Sequence, residues 1–344
     1  MITILIPTLD RSEFVFRSLN YYARVGFTGT IIIGDSSEDE HSGRIQSLVN
    51  KLHDELNIVY RYFPKAEYLH DGMCMKEMID MVETPYAVYS GDDDFLIPNS
   101  LNKCAEFLEE HSDFSAAHGF RANITLNNSG PFGNIKKASI VSGQNLESDS
   151  AVERFVAYMH HGISTQYYLH RKETWQSMYR EVNKVPSRYL GPELLPCCLT
   201  NILGKVKLLE CLTCVFQKND NQIFDWGAQS MFDLINHKYW HTSIKVLQKR
   251  LAAELIEQDG LSRENAERIA ERELWGHLGT ILITHFKKRH DRENIIIKKK
   301  ENVLYTELLN PSFPFYSDFR TVYLSVISKL EKESCEEAAE IEML

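Results

Sequence analysis

Three consecutive carboxylates stand in the run Ser90-Gly91-Asp92-Asp93-Asp94-Phe95-Leu96-Ile97-Pro98. Like charges this close repel one another, so the run is costly unless a cation neutralises it. The apolar residues Tyr86–Tyr89 before it read as a strand, which sets the carboxylates at a strand's carboxyl end. Open α/β sheets bind their ligands at such ends. A hard divalent ion held by one or two carboxylates, its shell completed by diphosphate oxygens, fits the arrangement. An exposed acidic turn would explain a lone D-x-D as well; the apolar flanks on both sides favour the ion.

Two further loops carry suitable chemistry. Pro7-Thr8-Leu9-Asp10-Arg11 directly follows the first apolar run and could turn backbone N–H groups, Thr8 and Arg11 toward a nucleotide. Gly34-Asp35-Ser36-Ser37 follows the second, where an acidic side chain can accept hydrogen bonds from a base or ribose. Either loop alone reads equally well as an ordinary turn. Together, in order and each at a strand end, the three define a nucleotide-binding edge.

The elements that must position these loops alternate in the first ~120 residues between short apolar runs and amphipathic segments, the pattern of βαβ units and a parallel sheet. Strands are expected at Ile2–Pro7, Thr30–Gly34, Ile58–Phe63, Tyr86–Ser90 and Phe114–Gly119. Helices are expected from about Glu13 to Arg24 (capped by Ser12), Arg44 to Leu56, Asp71 to Val82 (capped by Asp71) and Asn99 to Glu110 (capped by Asn99). From Arg121 to about Gly143 the chain reads as loop, with a turn at Asn127-Asn128-Ser129-Gly130-Pro131. A helix from Ala151 to about Met159, a strand Thr165–His170, a short helix from Pro192 and an extended Lys205–Gln217 follow. Beyond about Gln229 the pattern is helical, best marked over Ser262–His285 and again over Phe319–Leu330, before an acidic tail from Glu331.

Bulk properties bound the function. A chain of 344 residues with 43% hydrophobic and 25% charged residues buries a sizeable core. A formal charge of −10 argues against a nucleic-acid partner. Lys287-Lys288-Arg289 and Lys298-Lys299-Lys300 are the local basic exceptions, more simply read as solvated surface than as a membrane or anion contact. No apolar stretch reaches the ~20 residues that span a bilayer, and no signal peptide is recognisable, so a cytoplasmic location is expected, reaching at most to the inner face of the membrane. Seven cysteines without metal-type spacing point to a reducing compartment, with Cys211 and Cys214 read as buried thiols. His118, His160-His161 and His170 are more simply packing or surface residues than ligands. Trp226, Trp240 and Trp275 could stack on sugar rings, though core packing is commoner, and Gln217–Gln222 could form a polar loop over a diphosphate.

The P-T-x-x-R ending of the first strand (Pro7, Thr8, Arg11), the Asp35 with small residues after the second, and the D-x-D of Asp92–Asp94 together resemble the family 2 type of GT-A glycosyltransferases. The resemblance covers residues 1–120 well and extends less surely to about 220. It implies a GT-A α/β domain over 1–220, with a donor half to about 120 and an acceptor half from 121, followed by a helical C-terminal region over 221–344. It further implies that Pro7, Thr8 and Arg11 line a nucleotide pocket and that Asp35 binds the base. Asp92 would face ribose or metal, Asp94 would hold Mn²⁺ or Mg²⁺, and Asp93 would serve the donor in either register of the triple. Gly191-Pro192-Glu193-Leu194-Leu195, followed by Gly204-Lys205-Val206, looks like the family's segment bearing the catalytic base, which makes Glu193 that candidate; Leu194 stands where the family has a second acidic residue.

The implied reaction moves a sugar from a nucleoside-diphosphate donor to an acceptor hydroxyl, with inversion, in surface-polysaccharide or glycoconjugate synthesis. The helical region is left to bind the glycan or lipid-linked acceptor, to pair with a second copy or to touch a membrane. A nucleotidyltransferase would carry a glycine-rich basic loop after the first strand, where Pro7–Arg11 stands instead. A nucleotide-sugar-binding protein without catalysis would share every motif and differ only in turnover.

Overall fold

The structure, a computed structural model, describes residues 1–64, 71–218, 231–290, 301–303 and 305–327. Trp226, Lys298–Lys300, the acidic tail and Asn219–Gln222 lie outside the described residues, as do the side chains of Asp71, His161 and Lys287–Arg289. The chain opens as β1 (Ile2–Thr8), α1 (Ser12–Arg24), β2 (Thr30–Asp35), α2 (Asp39–Lys51), β3 (Asn57–Tyr62), α3 (Asp71–Asp80) and β4 (Tyr86–Tyr89). It continues as β5 (Phe95–Leu96), α4 (Pro98–Glu110), β6 (Phe114–Leu126), β7 (Ile135–Val141), α5 (Ala151–His161), β8 (Leu169–Arg171), α6 (Lys172–Tyr179), α7 (Leu195–Leu203) and β9 (Lys205–Lys218). Last come α8 (Met231–Ile235), α9 (Trp240–Asp259), α10 (Arg263–His290), β10 (Glu301–Val303), α11 (Tyr305–Leu308) and a helix over 316–327.

One sheet runs in the order β10-β7-β6-β8-β4-β1-β2-β3, with β9 joined to β5 and β6. Its β4-β1-β2-β3 part is parallel, as the unbroken apolar runs require: Ile4, Leu5 and Ile6 of β1 and Ile31, Ile32 and Ile33 of β2 are all buried under helices on both faces. Two apolar cores result, one on each face. The first joins β1 and β2 with α1, α2 and α4, and takes in Phe319, Val322 and Val326 from the helix 316–327. The second gathers Met78, Phe155, Trp175 and Leu199 with Trp240, Leu247, Leu251 and Leu274 of α9 and α10, so the long C-terminal helices share a core with α5–α7. Among the described residues, no helix is long and apolar enough to cross a membrane.

Several local expectations need correction. The stretch Arg121–Gly143 is not loop: β6 runs on to Leu126 and pairs antiparallel with β7, leaving only the turn between them irregular. Buried Ala122, Ile124, Leu126, Ile135 and Ala138 supply one face of that hairpin, but Asn123 and Ser139, also buried and 3.4 Å apart, disguise the alternation. The strand expected at Thr165–His170 is confined to Leu169–Arg171, because Gln166 and Tyr167 are drawn into tertiary hydrogen bonds. Helix α2 starts at Asp39, not Arg44. Neither Ser12 nor Asn99 caps a helix: Ser12 Oγ lies 2.8 Å from His41 Nδ1, and α4 opens on Pro98, whose missing N–H costs nothing in a first turn.

Candidate active site

Parallel pairing brings the three candidate loops to one edge. Thr8 is in register with Asp35, and Leu5 with Tyr89, so the loops after β1, β2 and β4 leave the sheet side by side. Pro7, paired with Gly34, sets the turn, and Asp10 takes a left-handed φ of 54°, a conformation Asp tolerates through local hydrogen bonds. Those bonds tie the first loop to the second: Asp10 N–H donates to Ser37 Oγ at 2.7 Å, and Glu38 N–H donates to Asp10 Oδ1 at 2.8 Å. The first loop is tied to the third through Thr8 Oγ1, which donates to Asp92 Oδ2 at 2.7 Å. Arg11 completes the join, with Nη1 on Asp92 Oδ1 at 2.9 Å and Nη2 on Asp93 Oδ2 at 2.8 Å.

The acidic run is inside the protein rather than on it: relative exposures are 3% for Asp92, 6% for Asp93 and 0% for Asp94. Asp94 Oδ2 accepts from the Tyr167 hydroxyl at 2.5 Å, and Oδ1 accepts from the Gln217 N–H at 2.9 Å. Burial pushes the Asp92 carboxyl up to about 7, with Arg11 pulling the other way, and pushes Asp94 well above the usual carboxylate range. Arg17, fully buried behind the run, donates through Nη2 to the Asp93 carbonyl at 2.6 Å and through Nη1 to the Pro131 carbonyl and Gln217 Oε1. Its guanidinium lies 4.5 Å from the Phe95 ring centre; burial lowers it to about 10, and the three aspartates oppose that shift. Ser18 Oγ donates to the Asp92 carbonyl at 2.8 Å. The loop is thus clamped from α1, from the 127–134 turn and from the end of β9.

Gly91 decides whether a cation fits. A Cβ at that position would stand 2.7 Å from Asp94 Oδ2 and 2.9 Å from Asp93 Oδ1, so the missing side chain leaves two carboxylate oxygens facing one small space. Arg11 pairs with Asp92 and Asp93, Arg17 lies behind the run, and Arg121 also acts on Asp94, so three guanidiniums already face the three carboxylates. The space over Gly91 is where a cation would have room between Asp93 and Asp94. Among the described residues no three His, Cys, Asp or Glu side chains form a self-sufficient metal cage, so such an ion would need phosphate and water oxygens to complete its shell.

Asp35 is fully buried and shapes its own loop. Its Oδ1 accepts from Ser37 N–H at 2.9 Å, and Oδ2 from Ser42 Oγ at 2.8 Å and the Tyr60 hydroxyl at 2.7 Å. Glu193 stands half-buried in a π-helical turn, Tyr189–Leu194, directly before α7; such turns place side chains out of ordinary helical phase. The segment before β8 links the two regions. Gln166 Nε2 donates to the Pro192 carbonyl at 2.6 Å while its neighbour Tyr167 holds Asp94.

The histidines are structural. His118 is stacked 3.7 Å on Tyr168 and bonded to two carbonyls, His170 is buried against Thr200 and Trp175, and exposed His160 faces Glu273. Cys211 and Cys214 are buried free thiols; Trp240 is core, and Trp275 is half exposed on α10. Sequence reading missed Arg17, Tyr60, Gln166 and Tyr167; it offered Gln217 as the start of a polar loop, whereas Gln217 lies in β9 and its N–H reaches Asp94. Arg17 alone left a trace, a charged residue on the apolar face of α1.

These features make a GT-A-like α/β fold carrying a helical C-terminal region. No protein-family model and no curated protein matches the chain. Solved structures do. Staphylococcus aureus TarS 1-349 in complex with UDP-GlcNAc aligns with a TM-score of 0.52 at 12% identity, over 79% of this chain and 71% of that one. A longer crystal structure of S. aureus TarS aligns with a TM-score of 0.48 at 13% identity, and the chain spans 42% of its length. At 12% identity the first of these matches shows a shared fold.

Proposed function

We propose that this chain is a glycosyltransferase that takes a sugar from a nucleoside-diphosphate donor and delivers it to an acceptor hydroxyl. The observation that carries the reading is the convergence of three strand-end loops on Asp92–Asp94, held there by Arg11 and Thr8. The shared fold with a TarS fragment bound to UDP-GlcNAc, itself a nucleoside-diphosphate sugar, supports the donor class. In this reading Pro7, Thr8 and the Asp35 loop form the nucleotide wall. Asp35, whose oxygens are engaged by Ser37, Ser42 and Tyr60, presents that loop's rigid outline to the base.

Asp93 and Asp94, with Asp92 behind them, would hold Mn²⁺ or Mg²⁺ at the space over Gly91. Such an ion supplies Lewis-acid stabilisation of the departing diphosphate. Arg11 holds Asp92 and Asp93 together, and Tyr167 and the Gln217 N–H aim Asp94. Glu193, in its π-helical turn, is assigned as the base that takes the acceptor's hydroxyl proton as the sugar carbon inverts.

A thermal-shift screen of nucleoside diphosphates and their sugars, with Mn²⁺ or with EDTA, tests this on wild type and Asp94→Ala. Ligand at ~100 times its dissociation constant adds about 2.7 kcal/mol of stability. One nucleotide whose shift requires metal and disappears in Asp94→Ala is the expected result. Folded protein that responds to no nucleotide would rule the transferase out.

A further inference from the structure

Arg121, on β6, differs from the other arginines near the sheet. Arg11, Arg17, Arg154 and Arg171 each donate to two or more oxygens. Arg121 is partly buried, its Nε is buried without a hydrogen-bond partner, and among the described residues no ion pair or hydrogen bond reaches its guanidinium. It is held in place by packing alone: the backbone pairs with Val141 on one side and Cys214 on the other, and the guanidinium lies 5.3 Å from the ring centre of Phe216. A buried nitrogen without an acceptor is costly and calls for one from an ordered water or a ligand; Arg17 Nε is likewise unpartnered, but both terminal nitrogens of Arg17 donate while, among the described residues, none of Arg121 does.

Its surroundings say what kind of ligand. Arg121 borders a recess with His118, Gly143, Ser164, Tyr167 and Cys214, and Tyr167 is the residue whose hydroxyl holds Asp94. Arg121 is also close enough to Asp94 for its charge to oppose the upward push of burial on that carboxyl. The recess has room for about one water-sized group, ≈ 10 Å³, so it admits a single oxygen and not a sugar ring or a base. A partly buried cation with one unpartnered nitrogen and an oxygen-sized space together describe a seat for one oxygen of an oxyanion.

We propose that Arg121 binds a phosphate or carboxylate oxygen of the substrate in the recess that it lines together with Tyr167. Resting on the transferase reading, the source is either the donor's diphosphate or an acidic group on the acceptor. Inorganic phosphate, titrated in EDTA against wild type, Arg121→Gln and Arg121→Lys by thermal shift, is the probe. Charge-assisted hydrogen bonds of this kind are worth about ten- to a hundredfold in affinity, so Arg121→Gln should weaken phosphate by at least about tenfold, with Arg121→Lys between the two.

Repeating the titration with saturating UDP separates the sources. Competition between UDP and phosphate assigns the seat to the donor's diphosphate, and independent binding assigns it to an anionic acceptor. Phosphate that protects wild type but not Arg121→Gln, in a protein indifferent to every nucleotide, would keep the seat and discard the transferase reading. Phosphate affinity that is the same in wild type and Arg121→Gln overturns the proposal.

Discussion

Replacing Arg11 by Ala removes a side chain that bridges two buried carboxylates, Asp92 and Asp93. Breaking a buried pair by deleting one partner typically costs about 3–5 kcal/mol, because the remaining charge is left uncompensated. The loss should depend on pH, with a sign set by Asp92. Its carboxyl is raised from an ordinary 3.8 to about 7 by burial, so it contributes stability at low pH that is lost as pH rises through about 7. Arg11 is the strongest influence holding that value down; without it the carboxyl climbs further, and ionising it at pH 8 becomes more costly.

At pH 5 Asp92 carries its proton in both proteins, so the variant then lacks the pairing with Asp93 but no longer an ion pair with Asp92. Thermal unfolding in EDTA should therefore show a deficit of roughly 5–10 °C for Arg11→Ala at pH 8 and a smaller one at pH 5, the difference being the Asp92 share. Arg11→Lys should recover part of the loss, as a point charge cannot reach both carboxylates with the fork of a guanidinium. Equal deficits at pH 5 and pH 8 would refute the claim that Arg11 acts by compensating buried charge.

Three other outcomes follow from the same geometry. Gly91→Ala would press a methyl group to within 3 Å of Asp93 and Asp94 oxygens; it should abolish the metal-dependent part of nucleotide binding, and unchanged metal dependence would empty the space over Gly91 of meaning. Glu193→Gln should keep nucleotide affinity while turnover falls by about 10²–10⁴, and full activity in that variant removes Glu193 as the base. His170 is lowered by burial to about 3, so its neutral form contributes stability above its unfolded value that is lost as pH falls below ~6.5, about 2 kcal/mol by pH 5. Asp92 tilts stability the other way, so the His170 share is read as the difference between wild type and His170→Gln; parallel pH profiles would contradict it.

Much of the edge that carries the acidic run is legible in the sequence. Unbroken apolar runs at β1 and β2, and turn residues after them, are local signals, and parallel strands necessarily bring their carboxyl ends to one side. That reasoning placed Thr8, Arg11, Asp35 and Asp92–Asp94 on a common edge, and the structure joins four of them directly through hydrogen bonds and ion pairs. The second half of the sheet was harder to read, since β6 and β7 bury Asn123 and Ser139 among their apolar residues and so blur the period-two pattern.

What the sequence alone determined is therefore which residue types end which strands. What only the tertiary structure decided is who holds the acidic run. Tyr167 reaches Asp94 across 73 positions, the Gln217 N–H reaches it across 123, and Arg17 meets Gln217 across 200. Contacts of that span are set by strand register and crossovers rather than by any local period. Hydrophobic patterning reports which face of an element is buried, but Arg17, Tyr167 or Arg121 acquires its meaning only from the particular oxygen, or the lack of one, that folding places beside it.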